Sequence, residues 1–326
     1  MIIRGYIALL IATSSAAYSL LAAEGLMPWE KECPENYEDL LRIEVQIQKH
    51  LSKTKSAVVS LETEDGAGSG VIVSAEGLVL TAAHVIGDRG KKITAILSNG
   101  KRVSAVSLGG SVFSDAGMLK IENEAVLPYV NLAKVKDSSL GNWCYALGHP
   151  GGFDSTRGQV LRLGRIIGKQ DETMQTDCRL LGGDSGGPLF NLNGEVIAIH
   201  SRISQLAEEN FHIPIETFVS NWDFFMSDEF YNAQKLQEGG FLGVASSLTP
   251  KGLTVLGIVE GSAAEKFGLL EGDILRTLDE EPLDSREKLA ILVSNKSPKD
   301  PVVLELSRSG RLLTFRVPLG SRMHQE

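Results

Sequence analysis

The sequence predicts a mainly β chain: two six-stranded barrels in succession, followed by a small α+β module. Three observations carry this. Residues 57–121 and 143–214 each hold six short apolar stretches parted by Gly, Asn and Asp turns, as closed antiparallel barrels require. Strands do not alternate with long helices, which disfavours a parallel α/β sheet. From Gly239 onward, about eighty residues mix short strands with two helical pieces.

The 326 residues have room for two domains, and 43% hydrophobic residues supply their cores. A net charge of −9 without a long basic run argues against nucleic acid as a partner, because phosphate binding needs clustered Lys and Arg. Residues 1–23 read as a targeting segment. Arg4 gives a positive start, the stretch after it is uncharged, and Leu21-Ala22-Ala23 suits cleavage. About 19 uncharged residues also just span a bilayer, so the segment is a signal peptide or a membrane anchor. In both cases the rest of the chain is exported. The three cysteines, Cys33, Cys144 and Cys178, lack metal-site spacing, so no metal is expected. Cys144 and Cys178 are expected as small buried apolar residues.

Residues 24–55 are polar and charged, with Tyr37, Leu40, Leu41, Ile43, Val45, Ile47 and Leu51 spaced for a short amphipathic helix. The two-barrel unit follows over 56–222. Its strands are expected at 57–61, 70–73, 78–81, 92–97, 102–108 and 118–121, then at 143–147, 159–167, 174–176, 188–190, 196–199 and 211–214. Residues 215–237 turn from helical to linker-like, with the linker over 223–237. The last module spans 238–320, with helical pieces at 262–267 and 284–294.

The most informative stretch is Gly182-Gly183-Asp184-Ser185-Gly186-Gly187-Pro188-Leu189. A serine hydroxyl is a poor nucleophile until a base takes its proton and donors stabilise the oxyanion. Thr81-Ala82-Ala83-His84-Val85 offers the base, and Ser114-Asp115-Ala116-Gly117-Met118-Leu119 offers a carboxylate to orient it. The order His84, Asp115, Ser185 is that of the chymotrypsin-type triad, not of α/β-hydrolases or subtilisins. Gly183-Asp184-Ser185-Gly186-Gly187 also fits a nucleophile elbow, yet an elbow needs a helix next. Pro188 and the strand at 196–199 provide none. A double barrel would set the triad at its seam, with His84 and Asp115 from the first half and Ser185 from the second.

On these motifs, together with Gly68-Ser69-Gly70-Val71-Ile72-Val73 and Gly272-Asp273-Ile274-Leu275 after Ser262-Ala263-Ala264, the chain resembles the HtrA (Deg) family over residues 56–320. That family joins a chymotrypsin-like, trypsin-type protease to a PDZ domain. The resemblance implies an exported, ATP-independent serine endopeptidase, periplasmic or otherwise extracytoplasmic, acting on unfolded or misfolded polypeptides. His84 would be general base and then acid, Asp115 its orienting partner and Ser185 the nucleophile. The Gly183 and Ser185 N–H groups would form the oxyanion hole. No cofactor follows from this chemistry. Family members often form homotrimers through the start of the protease domain; a homotrimer is the expectation, although residues 24–55 match no obvious family segment. The alternative from another class is a PDZ-carrying chaperone or adaptor with little hydrolysis. A narrower alternative is a protease silent until its PDZ domain is filled.

The chain departs from the family at Asp184, where an asparagine is usual. In digestive trypsin-like enzymes this aspartate pairs with a freshly cut N-terminal amine, but no activation sequence of that kind is visible. Arg162, Arg165 and Arg179 are candidate partners, and a solvated Asp184 stands beside them. For substrate choice, His200 lies on the strand that normally lines the specificity pocket, and Arg179 precedes Ser185 by six residues. Two cations there would favour Glu or Asp before the cut; the family's usual small apolar pocket is the other reading. His149-Pro150-Gly151-Gly152 is expected to shape a loop beside the site without a catalytic role. Phe241-Leu242-Gly243 resembles a PDZ carboxylate-binding loop, with Leu289 and Leu292 receiving the ligand's apolar end. Otherwise that groove is filled by the chain itself.

Overall fold

Six strands of the first half close on themselves: β1 (Val58–Thr63), β2 (Gly66–Ile72), β3 (Leu78–Ala82), β4 (Lys92–Ile96), β5 (Arg102–Ser111) and β6 (Ala116–Ile121). They run in the order β4-β1-β2-β3-β6, and β5 pairs with both β4 and β6 to complete the ring. The computed structural model describes residues 27–322 except 65, 123–124, 135–137, 171–172, 204–208, 228–229 and 232. The targeting segment expected at 1–23 therefore lies outside the described residues. In β5, buried Val103, Ala105 and Ser107 alternate with less buried Arg102, Ser104 and Val106, the period of two that a half-covered strand imposes.

The second half repeats the plan with β7 (Trp143–Gly148), β8 (Val160–Gln170), β9 (Thr173–Thr176), β10 (Pro188–Asn191), β11 (Val196–Ile203) and β12 (Asn210–Pro214). These form a closed barrel in the order β10-β11-β12-β9-β8-β7. Tyr145 and Phe190 stack inside it, 5.1 Å between ring centres. One apolar core runs through the seam, joining Leu61, Leu80 and Met118 of the first barrel to Tyr145, Phe190 and Ile199 of the second.

The N-terminal helix is longer than a short amphipathic piece: α1 spans Tyr37–Ala57, with Asn36 accepting the Asp39 N–H at its start. Ile43 and Ile47 face inward, 2% and 6% exposed. Burying each stabilises the docking by roughly 2 kcal/mol. The Gln159 amide donates to the Lys55 and Val58 carbonyls and so ties the helix end to the second barrel. A single turn, α2 (Ala83–Ile86), follows β3.

After β12 come α3 (Ile215–Ser220) and α4 (Trp222–Met226). The stretch expected to connect the units carries a two-residue strand, β13 (Phe230–Tyr231), which pairs in parallel with Gly110 and Ser111 of β5. Gly110 is needed there, because a Cβ would strike the Phe230 ring. A helix, α5 (Ala233–Glu238), leads to the last unit. Its sheet holds β15 (Val244–Thr249), β16 (Gly252–Ile258), β17 (Ile274–Leu278), β19 (Pro301–Arg308) and β20 (Arg311–Pro318) in that order, with β18 (Glu281–Pro282) beside β17. A separate pair, β14 (Gly240–Phe241) and β21 (Gly320–Ser321), joins its ends. Two serine-capped helices cover the sheet: α6 (Ala263–Lys266, cap Ser262) and α7 (Arg286–Ser294, cap Ser285). Leu253, Leu275, Leu289, Leu304 and Val317 centre its own core. The two units touch where the Tyr231 hydroxyl donates to the Ala290 carbonyl (3.1 Å) and Ser285 Oγ donates to Asn221 Oδ1 (3.2 Å).

Candidate active site

Strands β3 and β6 are ladder neighbours, with Ala82 opposite Ala116. That register sets His84, just past one strand, beside Asp115, just before the other. The Ala83 N–H donates to the Asp115 carbonyl (2.7 Å) and the His84 N–H to Asp115 Oδ1 (3.1 Å). The imidazole Nδ1 lies 2.9 and 3.0 Å from the two carboxylate oxygens. Asp115 adopts φ 58°, a left-handed conformation that residues with a Cβ rarely enter and that surrounding contacts must hold. Gly117 permits the close passage of β6 under α2, since a Cβ there would come within 3.1 Å of Ala83 Cα. The carboxylate's hydrogen bond, and secondarily its charge, raise the His84 pKa above its ordinary value against the opposing effect of burial.

Ser185 comes to this pair from the second barrel. The Ser69 N–H donates to the Ser185 carbonyl (2.8 Å), while the Gly186 N–H donates to the His200 carbonyl and the His200 N–H to the Gly187 carbonyl, both at 2.7 Å. Gly186 fits only because it lacks a Cβ, which would collide with Thr81 Oγ1 and the Ser69 carbonyl. Ser185 Oγ donates to the Ser201 carbonyl (3.3 Å), and Ser201 Oγ donates to Asp115 Oδ2 (2.6 Å). One residue thus bridges the carboxylate and the hydroxyl. Among the described residues, no hydrogen bond links Ser185 Oγ directly to the His84 ring. Sequence reasoning put His200 on the strand lining the specificity pocket but did not single out its neighbour Ser201, and so missed this bridging position.

The turn before the serine is closely braced. Gly183 has φ 95°, and a Cβ on it would sit 2.5 Å from the Gly151 nitrogen, so only glycine fits. Its carbonyl accepts from Ser69 Oγ (2.8 Å), which itself accepts the His149 N–H (3.0 Å). Among the described residues, neither the Gly183 nor the Ser185 N–H has an intrachain acceptor. Both remain available for an external oxygen. His149 is buried, and burial pushes its ring down to about 4.

Asp184 is fully buried and meets Arg162, one of its three candidate partners, at 3.0 and 3.1 Å; it is not solvated. Burial still leaves its carboxyl above the ordinary range, although the Leu181 N–H and the Arg162 guanidinium pull the other way.

His200 is enclosed, and its Nδ1 lies 3.0 Å from His212 Nδ1, whose Nε2 lies 2.7 Å from Thr176 Oγ1. Burial holds His200 well below its ordinary pKa, so its ring is neutral. Arg179 is exposed and has no ion pair among the described residues. Of the two cations expected near the specificity pocket, only the guanidinium carries charge and faces solvent.

In the last unit, Phe241, Leu242, Gly243 and Leu289 line one cavity of about 280 Å³, together with Phe113 and Arg286 among others. Gly243 has φ 85°, and a Cβ there would strike the Ser262 side chain. Among the described residues, the Leu242 and Gly243 N–H groups have no acceptor. Leu292 is not part of this wall; it lines a second cavity beside Trp222 and Phe224. Phe113, from the loop that carries Asp115, was not legible as a groove residue. Among the described residues, no group of three His, Cys, Asp or Glu is placed to hold a metal, and no helix is long and apolar enough to cross a membrane.

Residues 68–199 match the trypsin-like peptidase domain model, and residues 240–319 match the PDZ domain model. A probable periplasmic serine endoprotease of DegP-like type from Ectopseudomonas mendocina is 33% identical over 274 residues, covering 78% of this chain and 56% of the relative. Another so named, from Hahella chejuensis, is 31% identical over 273 residues with the same coverage. The chain thus spans about half the length of the curated relatives it matches. Among solved structures, the HtrA-type protease AlgW with a tripeptide has a TM-score of 0.57 at 26% identity, covering 85% of this chain and 97% of that one. The serine endoprotease from Yersinia pestis shares the fold with a TM-score of 0.56 at 23% identity, covering 84% and 97%.

Proposed function

Since the chain belongs to the HtrA (Deg) family of trypsin-like serine proteases carrying a PDZ domain, we propose that it is an exported endopeptidase that hydrolyses unfolded or misfolded polypeptides. The observation that carries this reading is the run of contacts from His84 through Asp115 and Ser201 to Ser185. His84 takes the Ser185 proton as Oγ attacks the scissile carbonyl. The tetrahedral oxyanion receives the Gly183 and Ser185 N–H groups, and the imidazolium then protonates the leaving amine. Water repeats the sequence on the acyl-enzyme. Asp115 fixes the Nδ1–H tautomer and stabilises the imidazolium. The protease unit corresponds to residues 56–222 and the PDZ unit to 238–320. Within the latter, Phe241, Leu242 and Gly243 offer backbone donors to a chain terminus while Leu289 receives an apolar side chain. Arg179, open and charged, favours an acidic residue before the cut.

The relatives named periplasmic support a periplasmic location for this chain, with residues 1–23 as signal peptide or tether. A homotrimer belongs to the same reading.

The test is labelling by a serine-reactive phosphonate alongside casein cleavage. Wild type should label at Ser185 and cleave, and Ser185→Ala should do neither. A folded wild-type chain that takes up no phosphonate removes the enzyme reading in favour of a peptide-binding adaptor. One observation favours a regulated form of the enzyme: Ser185 Oγ donates to the Ser201 carbonyl instead of to His84. A χ1 rotation of Ser185 is then part of activation, and casein cleavage should rise when C-terminal peptides fill the PDZ groove.

A further inference from the structure

Asp184 sits between the two N–H groups proposed for the oxyanion hole, and it is 0% exposed. A carboxylate so enclosed is costly unless paired and hydrogen-bonded. It is both. Arg162, on β8 opposite Ala146, meets it in fork geometry, Nη1 to Oδ1 at 3.1 Å and Nη2 to Oδ2 at 3.0 Å. Oδ2 also accepts the Leu181 N–H (2.8 Å). The Asp184 N–H donates to the Leu181 carbonyl (3.0 Å), and the Asp184 carbonyl accepts the Gly187 N–H (2.8 Å). Residues 181–187 are therefore folded around one aspartate whose charge is balanced from another strand. Gly148 on β7 is shaped to the pair, since a Cβ there would overlap Asp184 Oδ1.

We propose that Arg162 is a positioning residue: its guanidinium, clamped on Asp184, holds the 181–187 turn in the form that presents the Gly183 and Ser185 N–H groups to substrate. The turn then forms without a newly cut N-terminal amine, because the counter-charge is built into the second barrel. This rests on the reading of Ser185 as nucleophile. The prediction is specific to charge, not bulk. Losing Arg162 leaves a buried carboxylate unpaired and frees the turn. Losing both charges restores neutrality, because an asparagine in place of Asp184 keeps an oxygen for the Leu181 N–H.

The full chain is compared as wild type, Arg162→Met, Asp184→Asn and Arg162→Met/Asp184→Asn. Hydrogen exchange of the peptide covering 181–189 is measured beside kcat and KM. Arg162→Met should exchange at least about tenfold faster there, with first-barrel strands unchanged. Its kcat should fall about a hundredfold, as loss of an oxyanion donor does, with KM little altered. The double variant should return exchange and kcat to within about fivefold of wild type. Wild-type exchange and kcat in Arg162→Met would overturn the proposal. If Arg162→Met does not fold, the double variant decides: folded and active supports the pairing, unfolded or inactive overturns it. If wild type itself cleaves nothing, the protease reading fails, and the exchange comparison still judges the clamp.

Discussion

Ser201 Oγ lies 2.6 Å from Asp115 Oδ2, while the carbonyl of the same serine accepts from Ser185 Oγ. The contact crosses the seam, because Ser201 is on β11 and Asp115 precedes β6. A hydrogen bond to a charged group contributes about 1.5–3 kcal/mol, and here it also fixes the carboxylate's rotation. Ser201→Ala should lower kcat by about tenfold with KM nearly constant, since it removes a support of Asp115 and leaves the Ser201 carbonyl in place. Steady-state kinetics on a peptide substrate checks this; an unchanged kcat would show that the His84 contacts alone hold Asp115.

The raised pKa of His84 fixes the sign of the pH response. The base must be neutral to accept the Ser185 proton, so kcat/KM should rise with pH through a value above that of free histidine. Stability runs the other way: the charged imidazolium–carboxylate pair stabilises the fold below histidine's unfolded pKa, and this is lost as pH rises through the raised folded value. Asp115→Asn removes the largest cause, so its activity limb should move to lower pH while kcat drops by about 10⁴, the size known for this change in trypsin-type triads. A limb at the same pH in both proteins would remove Asp115 as the cause.

The barrels, and the local pattern of the motifs around His84, Asp115 and Ser185, could be read in advance because the signal is local. Strands separated by glycine turns, and glycines flanking Ser185, announce themselves over a few residues. Long-range pairing left weaker traces. Asp184 had three candidate arginines by spacing alone, and only the β7–β8 register, which sets Arg162 opposite Ala146, selects one. His200 looked like a cation because sequence does not show burial; once enclosed against His212 it is neutral. Strand β13 has two residues, too few for any periodicity, and forms because Gly110 leaves room for Phe230. Ser201 and Phe113 carry no motif, and the seam and the junction between units give them their positions.

Burial holds His212 down to about 3, so the folded chain keeps this ring neutral through the mildly acidic range. Unfolded histidine titrates near 6.5, so below that pH the unfolded state binds a proton that the folded state refuses. Stability should therefore fall as pH drops from about 6.5 toward 3, by about 2 kcal/mol at pH 5 from this group alone. His200, 3.0 Å away and also held low, steepens the trend. His212→Asn should unfold in urea with a shallower loss between pH 7 and pH 5. Equal losses in variant and wild type would place the acid sensitivity elsewhere.

Phe113 stands two residues before Asp115 in the chain, yet it lines the cavity formed by Phe241, Gly243 and Leu289. The Arg286 guanidinium lies 4.4 Å from its ring centre, so a cation from α7 and an aromatic from the protease unit meet at the groove. A peptide entering there buries part of this ring as well as the PDZ residues. Removing it should cost about 1–2 kcal/mol of binding, or about tenfold in Kd. Phe113→Ala should thus weaken binding of a fluorescent peptide ending in an apolar residue by about that factor, read by anisotropy on the full chain. Because the same loop holds Asp115 at φ 58°, the variant should also reduce the gain in casein cleavage that filling the groove produces. Unchanged affinity together with an unchanged gain would confine the groove to the PDZ unit and leave this loop without a part in it.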